Sequence, residues 1–468
     1  MFRKVNKVHF VGIGGIGMSG IAELLLNLGF DISGSDVSDS EIIDRLRSNG
    51  AKVNIGHKTD NLFETEVVVY SSAIPEDNVE LIFAREMNIP TIKRAEMLGE
   101  LIALKNTSIA VGGTHGKTST SSIIGTLLSH SKLDPTLIVG GLVKNLDSSS
   151  KLGSGEIVVV EADEYDKSFL QLKPTVAVIT NIEKEHMDCY QNMDDLFESF
   201  ISFANSVPFY GSVVICSDSS GANDIINKIK RPITTYGIKS NANVCASNIS
   251  YNKMKSRFSI SFQGENLGEV NLSVPGEHNI LNSLAAAAIG IELGIDRKDI
   301  ILGLNTYQGV RRRFEIKGEV NDITVVDDYA HHPTEVKATL SAAKNSWNKR
   351  IIGVFQPHLF SRTQEFYKEF AESMMICDVA IITDIYPARE KPITGVTGKL
   401  VYDTLKELGH KNSHYISDLS NLNRVIENKV EKGDMLITMG AGTIWRYGES
   451  ILKYLSEKNW KIVWRKKK

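Results

Sequence analysis

Cysteine is scarce: there are four in 468 residues. Cys189, Cys216, Cys245 and Cys377 lie far apart, without paired spacing. That excludes a disulfide-stapled scaffold and a cysteine-held metal, and it suits a reducing compartment. Excess charge of one sign is lacking too. Acids and bases are mixed along the chain and leave a net −3, which argues against a nucleic-acid partner. No apolar run approaches the roughly 18 residues of a membrane span. No apolar leader with a small-residue cleavage site precedes the first strand-like segment, "KVHFVGIG". A soluble, cytoplasmic protein without membrane insertion is expected, and the closing "WRKKK" reads as a solvated tail. What is present is ordinary for a globular chain, 42% hydrophobic and 23% charged, and the length suits about three domains.

Three times, short apolar strands alternate with helical patterns, which predicts parallel α/β sheets. The first block has strands at "KVHFVGIG", "DISGSD", "VVVYSS" and "IPTI". Its helices are a first one closed by Gly29, then 41–49, 79–87 and 95–105. The second block holds the strands "TSIAVGG", "EIVVVEAD" and "VAVITNI". It adds an alternating stretch, "SRFSISFQGENLGEVNLSV", that predicts an antiparallel hairpin, and the helix "NILNSLAAAAIGIELG". "SSSKLGSG", 148–155, reads as a loop. The third block, after "RRRFEIKGEV", has strands at "ITVVDDYA", "RIIGVFQ", "DVAIITDI" and "DMLITMG". Boundaries near Asn106 and Phe314 give segments 1–106, 107–314 and 315–468.

Glycines mark two candidate phosphate sites. "GIGGIG" follows a strand and opens a helix, with Asp36 at the end of the next strand. This is the context in which backbone N–H groups meet a diphosphate. NAD, FAD and a nucleoside-diphosphate sugar all fit it, as do glycines needed only for close packing. The second, "AVGGTHGKTSTSS", is one residue short of the usual phosphate loop but again lies between an apolar strand and a helix. Gly112, Gly113, Thr114, His115 and Gly116 would form it, with Thr114 and His115 presenting backbone N–H groups. Lys117 would reach the β- and γ-phosphates, and Thr118 would offer a hydroxyl to Mg²⁺. Glu161, ending the strand of "EIVVVEADEYD", is placed as a magnesium ligand; a capping or surface acid is the alternative. In "VAVITNIEKEHMD" the strand ends in Asn181, Glu185, His186 and Asp188. His186 suits either a second metal or a hydrogen-bonded loop.

Taken in order, "GTHGKT", "EADEYDKSFL", "TNIEKEHMD", "GEHNILNSLAA", "RRRFE" and "VDDYAHHPTE" resemble the Mur ligases, ATP-dependent amino-acid ligases of peptidoglycan synthesis. The resemblance covers essentially the whole chain, and the family's phosphate loop has the same shortened form. It implies an α/β fold of three domains: a Rossmann-like N-terminal domain for UDP-sugar, a central P-loop ATPase-type domain with a mixed sheet for ATP, and a Rossmann-like C-terminal domain for the amino acid. "GIGGIGMSG", "DDYAHHPTE" and "FQPHLFSRT" are most similar to the member that acts first, whose substrates are UDP-N-acetylmuramate and L-alanine. A monomer or weak homodimer is expected.

The same resemblance assigns residues. Gly14, Gly15, Gly17 and Asp36 would serve the UDP-sugar. Lys117 and Thr118 would hold triphosphate and magnesium, with Glu161 and His186 on two metal ions. Asn282 would recognise adenine, Arg313 would touch the transferring phosphate, and Asp328 would bind the ribose. The residues left open are Asn282, which could instead brace its helix, and Asp327, which could replace Asp328. Tyr329, His331 and Arg362 would line the alanine pocket, Arg362 gripping the carboxylate. Two departures from the family stand out. The carbamylated lysine of several relatives is replaced by Ile201, and an arginine that can follow the "QPH" histidine is replaced by Leu359. The implied chemistry is phosphorylation of the muramyl carboxylate by ATP, then attack of the alanine amine on the acyl phosphate. His186 and His331 are the candidates for taking the amine's proton, and domain closure is expected to exclude water. A dehydrogenase would leave the second glycine loop and Glu161 unexplained. A ligase for another amine donor and a non-catalytic ATP-binding protein remain as rivals.

Overall fold

Alternating strands and helices form three separate β-sheets in the computed structural model, which describes residues 5–145, 148–388 and 390–457. The "WRKKK" tail lies outside them. The chain divides into two compact units. One comprises residues 1–249, 257–272 and 279–310 and carries the first two sheets; the other comprises 250–256, 273–278 and 311–468 and carries the third. Among the described residues no helix is long and apolar enough to cross a membrane. All four cysteines are free thiols.

The first sheet has five parallel strands. Lys7–Val11 lies at the centre, flanked by Asp31–Asp36 and then Lys52–Ile55 on one side, and by Val67–Tyr70 and then Thr91–Lys93 on the other. Strand order reverses beside the central strand, so the crevice at its carboxyl end is a natural ligand position. Lys52–Ile55 is not legible as a strand in the sequence; mostly exposed at the sheet edge, it shows no apolar run.

The second sheet has ten strands, and Thr107–Gly112 sits between Ile157–Glu161 and Val176–Ile179, all three parallel. These are the three apolar strands whose ends carry the candidate ATP site. Lys255–Phe262 and Glu265–Leu272 are joined by Gln263 and Gly264, both with positive φ. This two-residue link is the turn of the expected hairpin. The helix Glu277–Glu292 buries Ala285 to Ala288 completely, which is why its pattern is small and apolar rather than amphipathic.

One expectation fails here. Residues 148–155 do not form only a loop, because Ser148–Lys151 is an edge strand antiparallel to Thr136–Val143. Backbone pairing makes a strand of four polar residues, and the Ser150 hydroxyl donates to the buried Glu23 carboxylate at 2.6 Å. Arg45 holds the other oxygen of Glu23 at 2.6 Å. Sequence periodicity carries no trace of such partners.

The third sheet begins with Glu315–Val320, paired antiparallel with Ile323–Asp328, so the second part of "RRRFEIKGEV" is itself a strand. The last strand, Met435–Met439, inserts in parallel between Ile323–Asp328 and Ile351–Phe355, followed by Val379–Thr383 and Ser413–Ile416. The carboxyl ends of the parallel strands therefore gather the loops of "DDYAHHP", "FQPHLF" and "DIYPA" along one edge.

A buried polar cluster lies within the first sheet's layer. The Glu80 carboxylate, fully buried, accepts from Ser35 at 2.5 Å and Asn61 at 2.6 Å, with His57 Nδ1 at 3.3 Å and His9 Nε2 at 3.6 Å. Burial alone would raise its pKa; the neighbouring His9 and the hydrogen bonds from Ser35 and Asn61 outweigh burial and hold it down at about 2. A depressed carboxyl contributes stability that is complete above its unfolded value, about 4.3, and lost as pH falls from there towards 2. Glu80→Gln is expected to cost about 3 kcal/mol near neutral pH and to flatten the loss of stability in that acid window. Urea denaturation of both proteins across the window checks this; parallel pH curves would refute it.

Candidate active site

The short glycine loop is shaped by the strand beside it. Gly113 has φ 131° and Gly116, which caps the helix Lys117–His130, has φ 80°. A methyl group on Gly113 would lie 2.1 Å from Thr180 Oγ1, and one on Gly116 would lie 2.9 Å from Asn282 Oδ1. Thr180 donates its hydroxyl to His115 O at 2.6 Å, and Asn181 donates Nδ2 to the same oxygen at 3.0 Å. In return, the N–H groups of Thr114 and His115 donate to Asn181 O at 3.1 Å and Asn181 Oδ1 at 2.8 Å. These two N–H groups, expected to face phosphate, are thus engaged by Asn181. The N–H groups left over are those of the first helical turn, Lys117 to Ser119, which have no intrahelical acceptor; such a turn is where an anion would be met. Gly113→Ala is expected to weaken ATP binding at least about 10-fold, because neither the positive φ nor the Thr180 contact admits a Cβ. Calorimetric titration with ATP checks it, and wild-type affinity would refute it.

Lys117 points back into the site. Its Nζ donates to Gly113 O at 2.7 Å and to Glu164 Oε2 at 2.6 Å. Burial pushes this ammonium down, but the carboxylates of Glu164, Asp163 and Glu161 push it up by more, so the lysine stays cationic. Glu164 is 1% exposed. Tyr190 donates its hydroxyl to the Glu164 carbonyl at 2.6 Å, and His186 Nε2 stands 3.5 Å from the second carboxylate oxygen. Sequence reading passed over Glu164; its one signal was a third acid in "EADEYD" after a very apolar strand. Glu161 ends that strand as expected and accepts from the Gly140 N–H at 2.6 Å.

For a metal, the donor set is informative. Thr118, Glu161 and the buried Oε1 of Glu164, which has no hydrogen-bond partner, offer the oxygen ligands that a hard cation prefers. His186 offers nitrogen and already faces Glu164 at 3.5 Å. Ile201 is buried in the apolar core and cannot be a ligand.

Asn282 lies against the phosphate loop. Its Oδ1 accepts from Thr120 at 3.0 Å and its Nδ2 donates to Asn279 at 3.4 Å. This is the bracing alternative, with both ends of the carboxamide used within the chain. In the N-terminal sheet, Gly14 donates its N–H to Asp36 Oδ2 at 2.9 Å, so Asp36 shapes the glycine loop. Gly15 caps the helix Ile16–Asn27 and Gly17 stands in its first turn.

In the second unit the candidate residues cluster at the carboxyl edge of the third sheet. Asp328 is buried, and its two oxygens accept from the N–H groups of Phe314 and Ala330, both at 2.8 Å. Burial lifts its pKa to about 6 against the pull of Arg313 and those two N–H groups. Its first task is therefore to set the loop. Asp327 is spent on Arg312 at 3.2 Å and Thr438 at 2.8 Å. Arg313 faces Glu335 at 3.6 Å and lies over the Tyr329 ring at 5.3 Å. His331 Nδ1 looks at Tyr329 O at 3.0 Å and Glu335 Oε2 at 3.3 Å. Two acceptors there favour a proton on Nδ1. Arg362 is buried, with Nη1 3.2 Å from His358 Nδ1, and His358 stacks on Tyr386 at 5.8 Å. Tyr329, His331, His358 and Arg362 are thus linked by direct ring and hydrogen-bond contacts. Leu359, beside them, holds φ 71°, a conformation that L-residues rarely adopt. Glu335, His358 and Tyr386 were not singled out from sequence, since only the folded edge brings their three loops together.

Family models match three stretches: "Mur ligase family, catalytic domain" at 7–106, "Mur ligase middle domain" at 111–290, and "Mur ligase, glutamate ligase domain" at 312–442. The chain is 46% identical over 455 residues to UDP-N-acetylmuramate–L-alanine ligase of Geotalea uraniireducens (strain Rf4), covering 97% of this chain and 99% of that protein. It is also similar to the crystal structure of UDP-N-acetylmuramate-alanine ligase MurC from Thermotoga maritima, with TM-score 0.83 and 30% identity over 97% of this chain and 100% of that one. A murein peptide ligase from Psychrobacter arcticus 273-4, 24% identical over 97% of this chain and 99% of that one, shares the fold with TM-score 0.72. With matched motifs, three matched domains and near-complete coverage, the chain belongs to the Mur ligase family.

Proposed function

We propose that this protein joins L-alanine to the carboxylate of UDP-N-acetylmuramate, consuming ATP and releasing ADP and phosphate, in peptidoglycan precursor synthesis. The observation that carries this reading is the 46% identity to a ligase of that name over nearly the whole chain. The site chemistry supports it. A carboxylate is a poor electrophile, and transfer of the γ-phosphoryl group to it turns it into an acyl phosphate that an amine can attack. Lys117, cationic and buried, offsets the repulsion between carboxylate and triphosphate and follows charge onto the transferring group. The first-turn N–H groups of Lys117 to Ser119 cradle the phosphates. Magnesium, held by Thr118 and Glu161, would supply Lewis-acid neutralisation of the phosphoryl oxygens.

Arg313 is assigned to the transferring phosphate, Asp328 to the ribose and Asn282 to the adenine side of the nucleotide. Arg362 grips the alanine carboxylate beside His358, and Tyr329 lines the pocket. His331, with His186 the other candidate, is assigned to take the proton of the attacking amine. Gly14, Gly15, Gly17 and Asp36 form the nucleotide-sugar loop. This reading places the enzyme in the cytoplasm, with free thiols and without membrane insertion, as a monomer or weak homodimer.

The test is phosphate release from ATP and Mg²⁺ with UDP-N-acetylmuramate, offering L-alanine, D-glutamate and a muramyl-type peptide separately. Release that needs both the sugar nucleotide and L-alanine is expected. Release with another donor would overturn the amino-acid assignment, and none with any donor would overturn the ligase.

A further inference from the structure

A cleft of about 510 Å³ opens in the second unit, at the carboxyl edge of the third sheet. Gln356, Asp384 and Ser417, each the first residue after a parallel strand, line it together with Tyr386, Asp418 and Thr443. Its size is that of a small-molecule site, and its place is where open α/β sheets take ligands.

Tyr386 belongs to two neighbourhoods at once. Its ring lines the cleft and also stacks on His358, with centroids 5.8 Å apart and planes at 15°. His358 in turn meets Arg362 Nη1 at 3.2 Å and the His331 ring at 5.9 Å, two residues assigned above to the alanine pocket. Main-chain bonds fix where the tyrosine stands: its N–H donates to Pro357 O at 2.8 Å, and its carbonyl accepts from the Leu359 N–H at 3.0 Å. Gly442 packs directly against it. A methyl group there would lie 2.6 Å from Tyr386 Cγ and 2.5 Å from Gln356 Oε1, so the loop after the last strand can close on the ring only with a glycine.

Alanine presents a single methyl group, which needs almost no room. An open pocket does not refuse added methylenes; refusing them takes a wall that they strike. We infer that Tyr386 is that wall, separating the alanine pocket from the cleft and confining the enzyme to a one-carbon side chain. This rests on the ligase reading above and adds to it the residue that sets donor size. The cleft beyond the ring has its own chemical preference. Asp384 and Asp418 line it, held by the N–H groups of Gly398 at 3.0 Å and Ser420 at 2.9 Å, so an extended side chain ending in an ammonium group suits it.

The experiment compares the full-length wild type with Tyr386→Phe, Tyr386→Leu and Tyr386→Ala, using thermal melts to establish that each is folded. Phosphate release is measured with ATP, Mg²⁺ and UDP-N-acetylmuramate, offering L-alanine, L-norvaline or L-ornithine. Wild type and Tyr386→Phe should both favour L-alanine over the longer donors by at least about 100-fold in kcat/KM. Tyr386→Ala should shrink that preference by at least about 10-fold, through a lower KM for the longer donors, with Tyr386→Leu between. Should Tyr386→Ala not fold, the leucine variant carries the same test. L-ornithine should gain more than L-norvaline; the reverse would overturn the part given to the carboxylates. If the ring were only structural, all three donors would lose rate alike and the preference would stay, which would overturn the inference. A wild type that uses L-alanine with a preference indifferent to Tyr386 would overturn this inference alone. A wild type that releases no phosphate with L-alanine would overturn the ligase reading and this inference with it.

Discussion

Lys117→Met is expected to lower kcat by about 10³-fold while leaving the sheets folded. The substitution keeps length and removes charge. The lysine is a cation that the structure places both at the glycine loop and within the field of three carboxylates, Glu161, Asp163 and Glu164. Removing one preorganised charge-stabilising donor from a dry site costs about 10²–10³ in rate, and here the same group also offsets substrate repulsion. The variant carries a second signature. Glu164, 1% exposed, loses its ammonium and is left as a buried acid without a counter-ion, so the protein should also melt at lower temperature. Adding Glu164→Gln to Lys117→Met should restore most of the stability and none of the rate. Single-turnover phosphate release and thermal melts of the three proteins check this; a double variant that regains activity would sink the role given to Lys117.

Glu164→Ala alone is the second large effect. It leaves the Lys117 charge buried and unpaired, and breaking one partner of a buried pair costs about 3–5 kcal/mol. It also frees the ammonium from the carboxylate that sets its direction and removes the carboxylate that faces His186 at 3.5 Å. Glu164 touches no phosphate in this reading, so it acts as a positioning residue. KM for ATP should rise with a kcat loss of about 10-fold, smaller than that of the lysine variant. Glu164→Gln, which keeps a hydrogen-bond acceptor, should recover part of the ATP KM. Equal kcat losses in Glu164→Ala and Lys117→Met would instead place the carboxylate on the reacting groups.

The motifs declared themselves in the sequence because local chemistry demands them. A glycine loop between an apolar strand and a helix needs its residues in order, so 112–118 was readable without coordinates. Lys117, Thr118 and Glu161 followed from it. The same holds for the antiparallel hairpin within "SRFSISFQGENLGEVNLSV" and for the alanine-rich helix. Strands and helices of strong pattern were found close to where they lie: 41–49 was expected where Glu41–Ser48 is helical, and 79–87 where Val79–Glu86 is.

Partners that come from far along the chain were not readable. Thr180 and Asn181 shape a phosphate loop some 65 residues earlier, and nothing in "VITNIE" says that its side chains will be spent on backbone carbonyls. Ser148–Lys151 is a strand only because an edge accepts it. Glu164 becomes important through burial, and burial of one acid among several in "EADEYD" depends on what packs above it. Asp328 shows the converse case, a residue singled out from its motif whose oxygens the fold assigns first to Phe314 and Ala330.

Sequence by itself therefore determined the family, the positions of the strong strands along the chain and the chemical types expected for phosphate, metal and carboxylate. These rest on short-range geometry and on side-chain chemistry that no packing can change. Tertiary structure alone decided which of several acids grips Lys117, which N–H groups of the loop stay available, and that Tyr386 stacks on His358. Those outcomes depend on distance and desolvation between segments remote in the chain, and neither quantity exists until the chain has folded.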